Sequence, residues 1–386
     1  MGRNFKSGSH TSNTPIPERL REARMARGIS VTELSDEIGV TKQAISQYEL
    51  GHSVPSGEVF MKIINKLNFP TQFFFRPIHS NSPRGAIFFR SLKSTAQKSR
   101  DMQASRLDMQ EGIFNFFQLQ LDFPKINLPN LEGISLDNLQ IEDIEDITLN
   151  LRKLWGLGLG PINNITHLLE KHGFIISKIK FNDSNVDAYS QWRGDRPFII
   201  IGSDKLAAGR YRFNAMHEVG HLTIHKWIEP IDLLTRMNQI ESEAHRFASS
   251  FLLPRETFGQ EVMSTSLNHF VELKRRWNVS IQAMIKRCED LSILSDYQVL
   301  YLRKQISARR MNKSEPLDDQ IVSEEPLALK QAATMLIEHG VESPASILDS
   351  LSLPQEEIES LCNLPPGTLS PEGKIFTLNF KNNHKK

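Results

Sequence analysis

Apolar residues near the start of the chain recur at helical spacing and are interrupted by strong stop signals. Residues 17–75 are predicted to form four or five short helices, and the first runs through PERLREARMAR and ends at Gly28. Ser30 and Glu33 have the spacing of a capping box, which begins a second helix that ends at Gly39. The buried face of that second helix is predicted to hold Val31, Leu34 and Ile38.

The next helix of this group carries polar residues that packing does not explain. Thr41 is predicted to cap a third helix, KQAISQYE, whose apolar positions turn inward while Gln43, Ser46 and Gln47 share the opposite face. Two short helices joined by a glycine turn can lay the second helix in a DNA major groove. The pattern therefore predicts a helix-turn-helix.

The segment ISVTELSDEIGVTKQAISQYELGHSVPS resembles the Xre/lambda-repressor-like family of DNA-binding domains. This resemblance implies contacts with double-stranded DNA from Thr41, Lys42, Gln43, Ser46 and Gln47. Gln43 is the best candidate for reading a base, because its amide can form two hydrogen bonds with an adenine edge. Lys42 is expected to meet a phosphate. For each of these residues alone, an ordinary solvated face is the alternative explanation.

A later helical segment carries the pattern HEVGH at residues 217–221. Positions i and i+4 share one helix face, so His217 and His221 can bind one metal ion while Glu218 projects toward a water on that ion. Zinc takes imidazole nitrogens at about 2.0–2.1 Å and leaves a position for a water whose pKa falls to roughly 7. Glu218 is then the predicted general base of a metal-dependent peptidase. A chance match is the alternative.

The segment ESEAHRFASSFLLP predicts another helix, and a carboxylate from this helix is the expected third metal ligand. Its apolar face is predicted to hold Ala244, Phe247, Ala248, Phe251 and Leu252. Glu241 falls near that face and is the predicted ligand, while Glu243 is expected to point further toward solvent and is the alternative. His225 lies about 12 Å along the helix axis from His217, too far to share its ion. It is expected to support the site or to lie on the surface.

The runs FNAMHEVGHLTIH, DAYSQWRGDRPFIII and ESEAHRFASSFLLP together resemble the ImmA/IrrE family of metallopeptidases, over about residues 140–310. This resemblance implies a small zincin-like fold in which an edge strand, here residues 197–201, pairs with an extended substrate. It also implies limited proteolysis of a transcriptional repressor. Met216 departs from the usual sequence before the first ligand, which should affect packing more than chemistry. Zinc is the expected metal, and two histidines with a glutamate also suit manganese.

Composition is that of an ordinary globular protein: 386 residues, 39% hydrophobic, 24% charged, with a net charge of +1. Two cysteines without metal or redox spacing indicate a reducing compartment. The start, MGRNFKSGSH, has no apolar signal core, and no run of about 18 apolar residues occurs. We therefore expect a cytoplasmic protein without membrane contacts.

Charge is unevenly distributed along the chain. Residues 59–100 contain Lys and Arg but no Asp or Glu, whereas acidic residues recur after position 318. The basic stretch can follow a phosphate backbone or serve as a solvated linker. One hypothesis is that the acidic segment masks the basic region or the active-site cleft. The alternative is that the acidic segment and the basic stretch are separate solvated surfaces that do not contact each other.

Breaks in these patterns predict five segments: a disordered start (1–15), a helix-turn-helix domain (16–76), a linker with a long helix (77–137), an ImmA/IrrE-like domain (138–310) and an acidic helical region (311–386). The predicted fold is mainly α, with an N-terminal all-α domain and a small α+β zincin-like domain.

The sequence predicts a DNA-binding transcriptional regulator with a metal-dependent endopeptidase that cleaves a repressor or an antitoxin-like protein. Its expected partners are a double-stranded DNA operator, the protein substrate and a second copy of the chain. The alternative is a non-proteolytic helix-turn-helix repressor or antitoxin, in which the metal domain is a sensor or a structural unit.

Overall fold

A computed structural model gives the fold as mainly helical with one small sheet, which confirms the predicted fold class. The structure describes residues 14–77, 83–89, 97–132, 134, 139–181, 186–203, 207–226, 228 and 230–370. Most of the predicted disordered start therefore lies outside the described residues. Among the helices of the described ranges, none has both the length and the apolar character needed to cross a membrane.

The first helices form where the sequence predicts them. They are α1 (Pro17–Ala26), α2 (Val31–Ile38), α3 (Lys42–Glu49), α4 (Gly57–Leu67) and a 3-10 helix (Thr71–Phe75). The capping box of α2 is present, because the Ser30 hydroxyl accepts the Glu33 backbone N–H and the Glu33 carboxylate accepts that of Ser30. Gly39, with φ of 75°, then turns the chain into α3.

A sheet separates the two large apolar cores of the protein. Its strands are β1 (Phe88–Phe89), β2 (Ile175–Ile179), β3 (Ala188–Arg193) and β4 (Arg196–Gly202), in the spatial order β1-β3-β4-β2. β3 pairs antiparallel with both β1 and β4, and β2 pairs parallel with β4.

The prediction that residues 197–201 form an edge strand is wrong, because β4 is hydrogen-bonded to a strand on each side. The physical reason is visible in its sequence, PFIII. A continuous apolar run is typical of a strand that is buried on both faces, whereas a half-exposed strand alternates. The outer strands are β1 and β2.

Helices cover both faces of the sheet. The helices after the 3-10 helix are α5 (Gln97–Gln118), α6 (Ile141–Leu154), α7 (Ile165–Lys171), α8 (Ala208–Ile224), α9 (Pro230–Thr235), α10 (Met237–Leu252), α11 (Arg255–Glu261), α12 (Leu267–Trp277), α13 (Ile281–Asp290), α14 (Asp296–Ala308), α15 (Ala328–Glu338), α16 (Pro344–Leu351) and α17 (Gln355–Leu361). α8 packs against β3 and β4 on one side and against α10 on the other.

The core behind the sheet joins the two ends of the chain. Apolar residues of the helix-turn-helix unit, of α5, of the back of the sheet and of α15–α17 form one continuous cluster. Within it, the buried amide of Gln110 donates to the Ser177 hydroxyl at 2.8 Å, which fixes α5 on the sheet. The helix-turn-helix unit is therefore packed onto the rest of the protein.

Acidic residues of the C-terminal region form pairs within the fold. Buried Glu324 pairs with Arg212 of α8, and Glu357 pairs with Arg27 in the helix-turn-helix unit. Several lysines of the basic stretch have acidic partners in the N-terminal half, in the pairs Lys62–Glu58, Lys66–Glu37 and Lys98–Glu33. The C-terminal region thus contacts the helix-turn-helix unit at Arg27 and also at Arg76 of the basic stretch, which donates to the backbone carbonyls of Asp349 and Ser350.

Candidate metal centre and helix-turn-helix face

α8 presents His217 and His221 on one face, as their spacing requires. Both side chains are buried, and their Nε2 atoms lie 3.1 Å apart and point toward a common position. Burial lowers the pKa of His217 to about 3, although its contact with Glu241 opposes the shift. An imidazole that stays neutral at neutral pH keeps the lone pair that a metal ligand needs.

Gly220, inside the same motif, lets α10 approach α8 closely. A Cβ atom at Gly220 would lie 3.2 Å from the Cα atom of Ala244 and 3.3 Å from its carbonyl oxygen. A side chain there would therefore push the two helix backbones apart. Because Glu241 is three residues before Ala244 on α10, this close approach brings its carboxylate to the histidines.

Glu241 completes a set of three donors. Its two carboxylate oxygens lie 3.4 Å from the Nε2 atoms of His217 and His221. A tetrahedral ion with bonds of about 2.0–2.1 Å needs donor atoms roughly 3.3–3.4 Å apart. The two Nε2 atoms, 3.1 Å apart, and the carboxylate oxygen nearest to each of them are close to this spacing, so the residues present suit zinc. Burial raises the pKa of Glu241, but its contacts with the two histidines outweigh burial and hold that pKa below its usual range.

His225 and Glu243 orient the second ligand. Nδ1 of His221 lies 3.0 Å from Nδ1 of His225, whose Nε2 lies 2.8 Å from a carboxylate oxygen of Glu243. An ionised carboxylate only accepts hydrogen bonds, so His225 carries its proton on Nε2 and accepts the Nδ1 proton of His221. This leaves the His221 Nε2 lone pair directed at the three-donor set, as second partners do in metal sites.

The expectation that Glu243 points further toward solvent than Glu241 is wrong. Glu243 is buried, whereas the Glu241 side chain is 23% exposed. α10 begins at Met237 and buries Ile240, so position 243 falls on the same buried stripe, three residues later. The sequence signal was available in the i, i+3 spacing from Ile240 and in the four-residue spacing of His225 from His221.

Glu218 is not one of the three donors and is held by the sheet. Its carboxylate accepts a hydrogen bond from the Ser190 hydroxyl of β3 at 2.6 Å, and both side chains are buried. No local spacing in the sequence points to Ser190, because Glu218, its partner on α8, is 28 residues away. The arrangement fixes the Glu218 carboxylate next to the metal-binding face of α8.

The polar face of α3 is open to solvent. Thr41, Lys42, Gln43 and Gln47 are exposed and Ser46 is half-buried, while Ile45 points into the core. The Thr41 hydroxyl accepts the Ala44 backbone N–H at 3.1 Å, so it acts as the helix cap. α3 is anchored from behind by Glu49, which forms two hydrogen bonds with Arg24, at 2.6 and 2.8 Å.

Comparison with known proteins assigns the two units. Residues 20–74 match the helix-turn-helix family model, and residues 169–289 match the model of the IrrE N-terminal-like domain, a peptidase family. The chain joins a helix-turn-helix domain to an IrrE-like domain. The chain is also similar to the SPbeta prophage-derived HTH-type transcriptional regulator YonR of Bacillus subtilis (strain 168), with 32% identity over 63 residues. That match covers 16% of this chain and 58% of the relative's length.

Proposed function

We propose that this protein is a DNA-binding transcriptional regulator whose IrrE-like domain is a zinc-dependent endopeptidase. Its substrate is proposed to be a repressor or an antitoxin-like protein, and its DNA partner a double-stranded operator. The observation that carries the peptidase proposal is the set of three donors at tetrahedral spacing, with Glu218 beside it on α8. The helix-turn-helix match and the exposed face of α3 support the DNA partner.

The chain's own residues have distinct roles in the proposed mechanism. His217, His221 and Glu241 would hold the ion, which, when bound, makes water more acidic and polarises a peptide carbonyl. Glu218 accepts the proton from the attacking water and passes it to the leaving amine. The Ser190 hydroxyl keeps the Glu218 carboxylate in place, and the burial of both groups excludes competing solvent.

One observation favours the alternative, a regulator whose metal domain is a sensor or structural unit. Glu218 and both histidines are almost fully buried, so the site described here is closed to a substrate. The two functions are separated by incubating the protein with zinc, operator DNA and repressors encoded in neighbouring genes, and measuring intact masses. A single internal cut that disappears with chelator supports the peptidase, whereas uncut repressors at all zinc and DNA concentrations support the alternative.

Substitutions can distinguish the proposed metal ligands from the residues that orient them. Glu241→Ala, His217→Ala or His221→Ala should abolish stoichiometric zinc binding, because each removes a donor. Glu243→Ala should instead weaken binding by roughly 10–100-fold, since it acts through His225. Metal content after dialysis against a chelator series measures both effects, with the exposed Glu256→Ala as control. Equal losses from Glu241→Ala and Glu243→Ala would contradict the proposed ligand set.

The DNA face is tested by two neighbouring residues of α3. Gln43→Ala should cost about 1–3 kcal/mol at the operator and relax preference at one base pair. Lys42→Ala should weaken binding to all sequences alike and reduce the salt slope by about 1. Gel-shift titrations over a salt series distinguish them, with the exposed Lys313→Ala, outside the basic stretch, as control. If both variants bind the operator like wild type, α3 does not lie in the groove. A homodimer would place its half-sites about 34–36 Å apart.

A further inference from the structure

The linker after the helix-turn-helix unit lies over the metal centre. Residues 84–89 run antiparallel along β3, with Phe88 opposite Ser190 and a bridge between Arg84 and Arg193. They occupy the outer edge of β3, whose other edge pairs with β4. A sheet edge of this kind is where an extended peptide can add as a further strand. Here the chain itself occupies it.

The pairing of the linker with β3 is irregular. From Arg84 to Phe88 the linker takes four steps along the chain, while β3 takes three from Arg193 to Ser190. One linker residue therefore bulges out, and the ladder of backbone hydrogen bonds is disrupted there. The Gly85 N–H still donates to a β3 carbonyl, at 3.0 Å. A peptide in regular register would complete a ladder that the linker leaves incomplete.

Phe88 is the linker residue that enters the site. Its side chain is 3% exposed, and its ring is stacked on that of His221, with centroids 4.6 Å apart and planes at 6°. The ring also belongs to a small apolar cluster that is separate from the two large cores. The members of this cluster outside the linker, which we call the Phe88 subsite, are Leu233, Ile240 and Ile228.

The linker also closes the approach to the general base. Phe88 lies opposite Ser190, and the Ser190 hydroxyl binds Glu218, which is 1% exposed. A substrate backbone that reaches Glu218 along β3 must therefore take the place of the backbone at Phe88. The two peptides compete for one edge and one apolar subsite.

Phe88 is the buried side chain of the linker, whose other contacts are hydrogen bonds between Gly85 and β3, the packing of Ile87 and a weak ion pair. Arg84 pairs with Asp108 of α5 at 2.9 Å, but their side chains are 40% and 26% exposed. Pairs that are exposed to this extent contribute little to stability. Burial of the aromatic ring is therefore the dominant contact, and a competing side chain of similar shape can replace it.

We propose that residues 84–89 are an internal substrate mimic, and that the Phe88 subsite selects protein substrates with a bulky apolar side chain at the matching position of an extended segment. This inference rests on the proposed peptidase function. It names the substrate class: a repressor or antitoxin-like protein with an aromatic or large aliphatic residue in an exposed, strand-forming stretch. In the resting protein the mimic competes with that substrate.

The test uses the full-length protein with Glu218→Gln, which removes the base, and a fluorescein-labelled peptide PRGAIFFR that copies residues 83–90. Phe88→Ala should bind this peptide roughly 10- to 100-fold more tightly than the Phe88 protein, because the mimic loses the buried ring. Ile87→Ala is the matched control, since Ile87 packs against the other core and leaves the subsite filled. The peptide PRGAIAFR lacks the phenylalanine that copies Phe88. It should bind the Phe88→Ala protein roughly 10- to 100-fold more weakly than PRGAIFFR does.

The outcomes distinguish this inference from the peptidase proposal. Equal peptide affinities for the Phe88 protein and Phe88→Ala, or equal affinities of the two peptides, overturn the mimic even if the protein cuts a repressor. Tight, phenylalanine-dependent binding without any cleavage by the wild type supports the mimic and its subsite while the peptidase fails. Arg84→Ala removes the ion pair with Asp108 and leaves Phe88 intact, so it should tighten peptide binding by a smaller factor. Faster zinc loss to a chelator from Phe88→Ala than from Ile87→Ala is expected as well, because the ring covers His221.

Discussion

Glu218→Gln is expected to abolish specific cleavage of the substrate while the protein still binds zinc. General base catalysis contributes about 10²–10⁴-fold to a rate, and a glutamine cannot take up the proton of the attacking water. The amide oxygen can still accept the hydrogen bond from Ser190, so the packing between α8 and β3 is preserved. Single-turnover cleavage, followed by intact mass with zinc content measured on the same sample, checks both parts.

Ser190→Ala is the informative companion to Glu218→Gln. It leaves the carboxylate in place but removes the hydroxyl that orients it, so cleavage should slow less than in Glu218→Gln. Its zinc content should stay at the wild-type level, because Ser190 is not one of the three donors. Cleavage by Glu218→Gln at the wild-type rate would exclude Glu218 as the base.

Glu324→Gln is expected to destabilise the IrrE-like unit by about 3–5 kcal/mol, the usual cost of breaking a buried ion pair by removing one charge. Glu324 and Arg212 are 4% and 2% exposed, and the second Glu324 oxygen accepts the Thr166 backbone N–H at 2.8 Å. Without the carboxylate, the Arg212 guanidinium remains buried and uncompensated on α8, one turn before His217. Urea unfolding measures the loss.

The neighbouring Glu325 provides the control. Its side chain is 47% exposed, and its partner Lys178 also donates to the Ser323 hydroxyl and to the Glu324 carbonyl, so Glu325→Gln should change stability by less than about 1 kcal/mol. The four tryptophans lie at positions 155, 192, 227 and 277, so their fluorescence reports the unit that contains the metal centre. Equal effects of the two substitutions would show that the C-terminal region is not anchored through Glu324.

Helices and local motifs could be predicted from the sequence because their determinants are close together along the chain. The capping box at Ser30, the glycine turn at Gly39 and the spacing of His217 and His221 each involve residues within one or two helical turns. Such signals can be recognised in the sequence without knowledge of the tertiary structure. The polar face of α3 and the face of α8 that carries both histidines follow from them directly.

Contacts between distant segments could not be predicted in the same way. Phe88 belongs to a strand of two residues, too short for an alternating pattern, and its partner Ser190 is 102 residues away. The bond between Ser190 and Glu218 depends on the register of that sheet, which no local spacing encodes. The predicted direction of Glu243 is wrong for a more local reason. The buried face of α10 includes Ile240, and position 243 lies on the same face.

The core behind the sheet has a consequence for how interchangeable the parts of this protein are. Leu20, Phe74 and Leu107 belong to the same apolar cluster as Phe198 of β4 and Ile358 of α17. A different DNA-recognition module in place of α1–α4 would leave apolar surface uncovered on the IrrE-like unit. The excised module would also expose its own apolar face. Changing the operator specificity of this protein therefore calls for substitutions on the outward face of α3, with the module behind it kept whole.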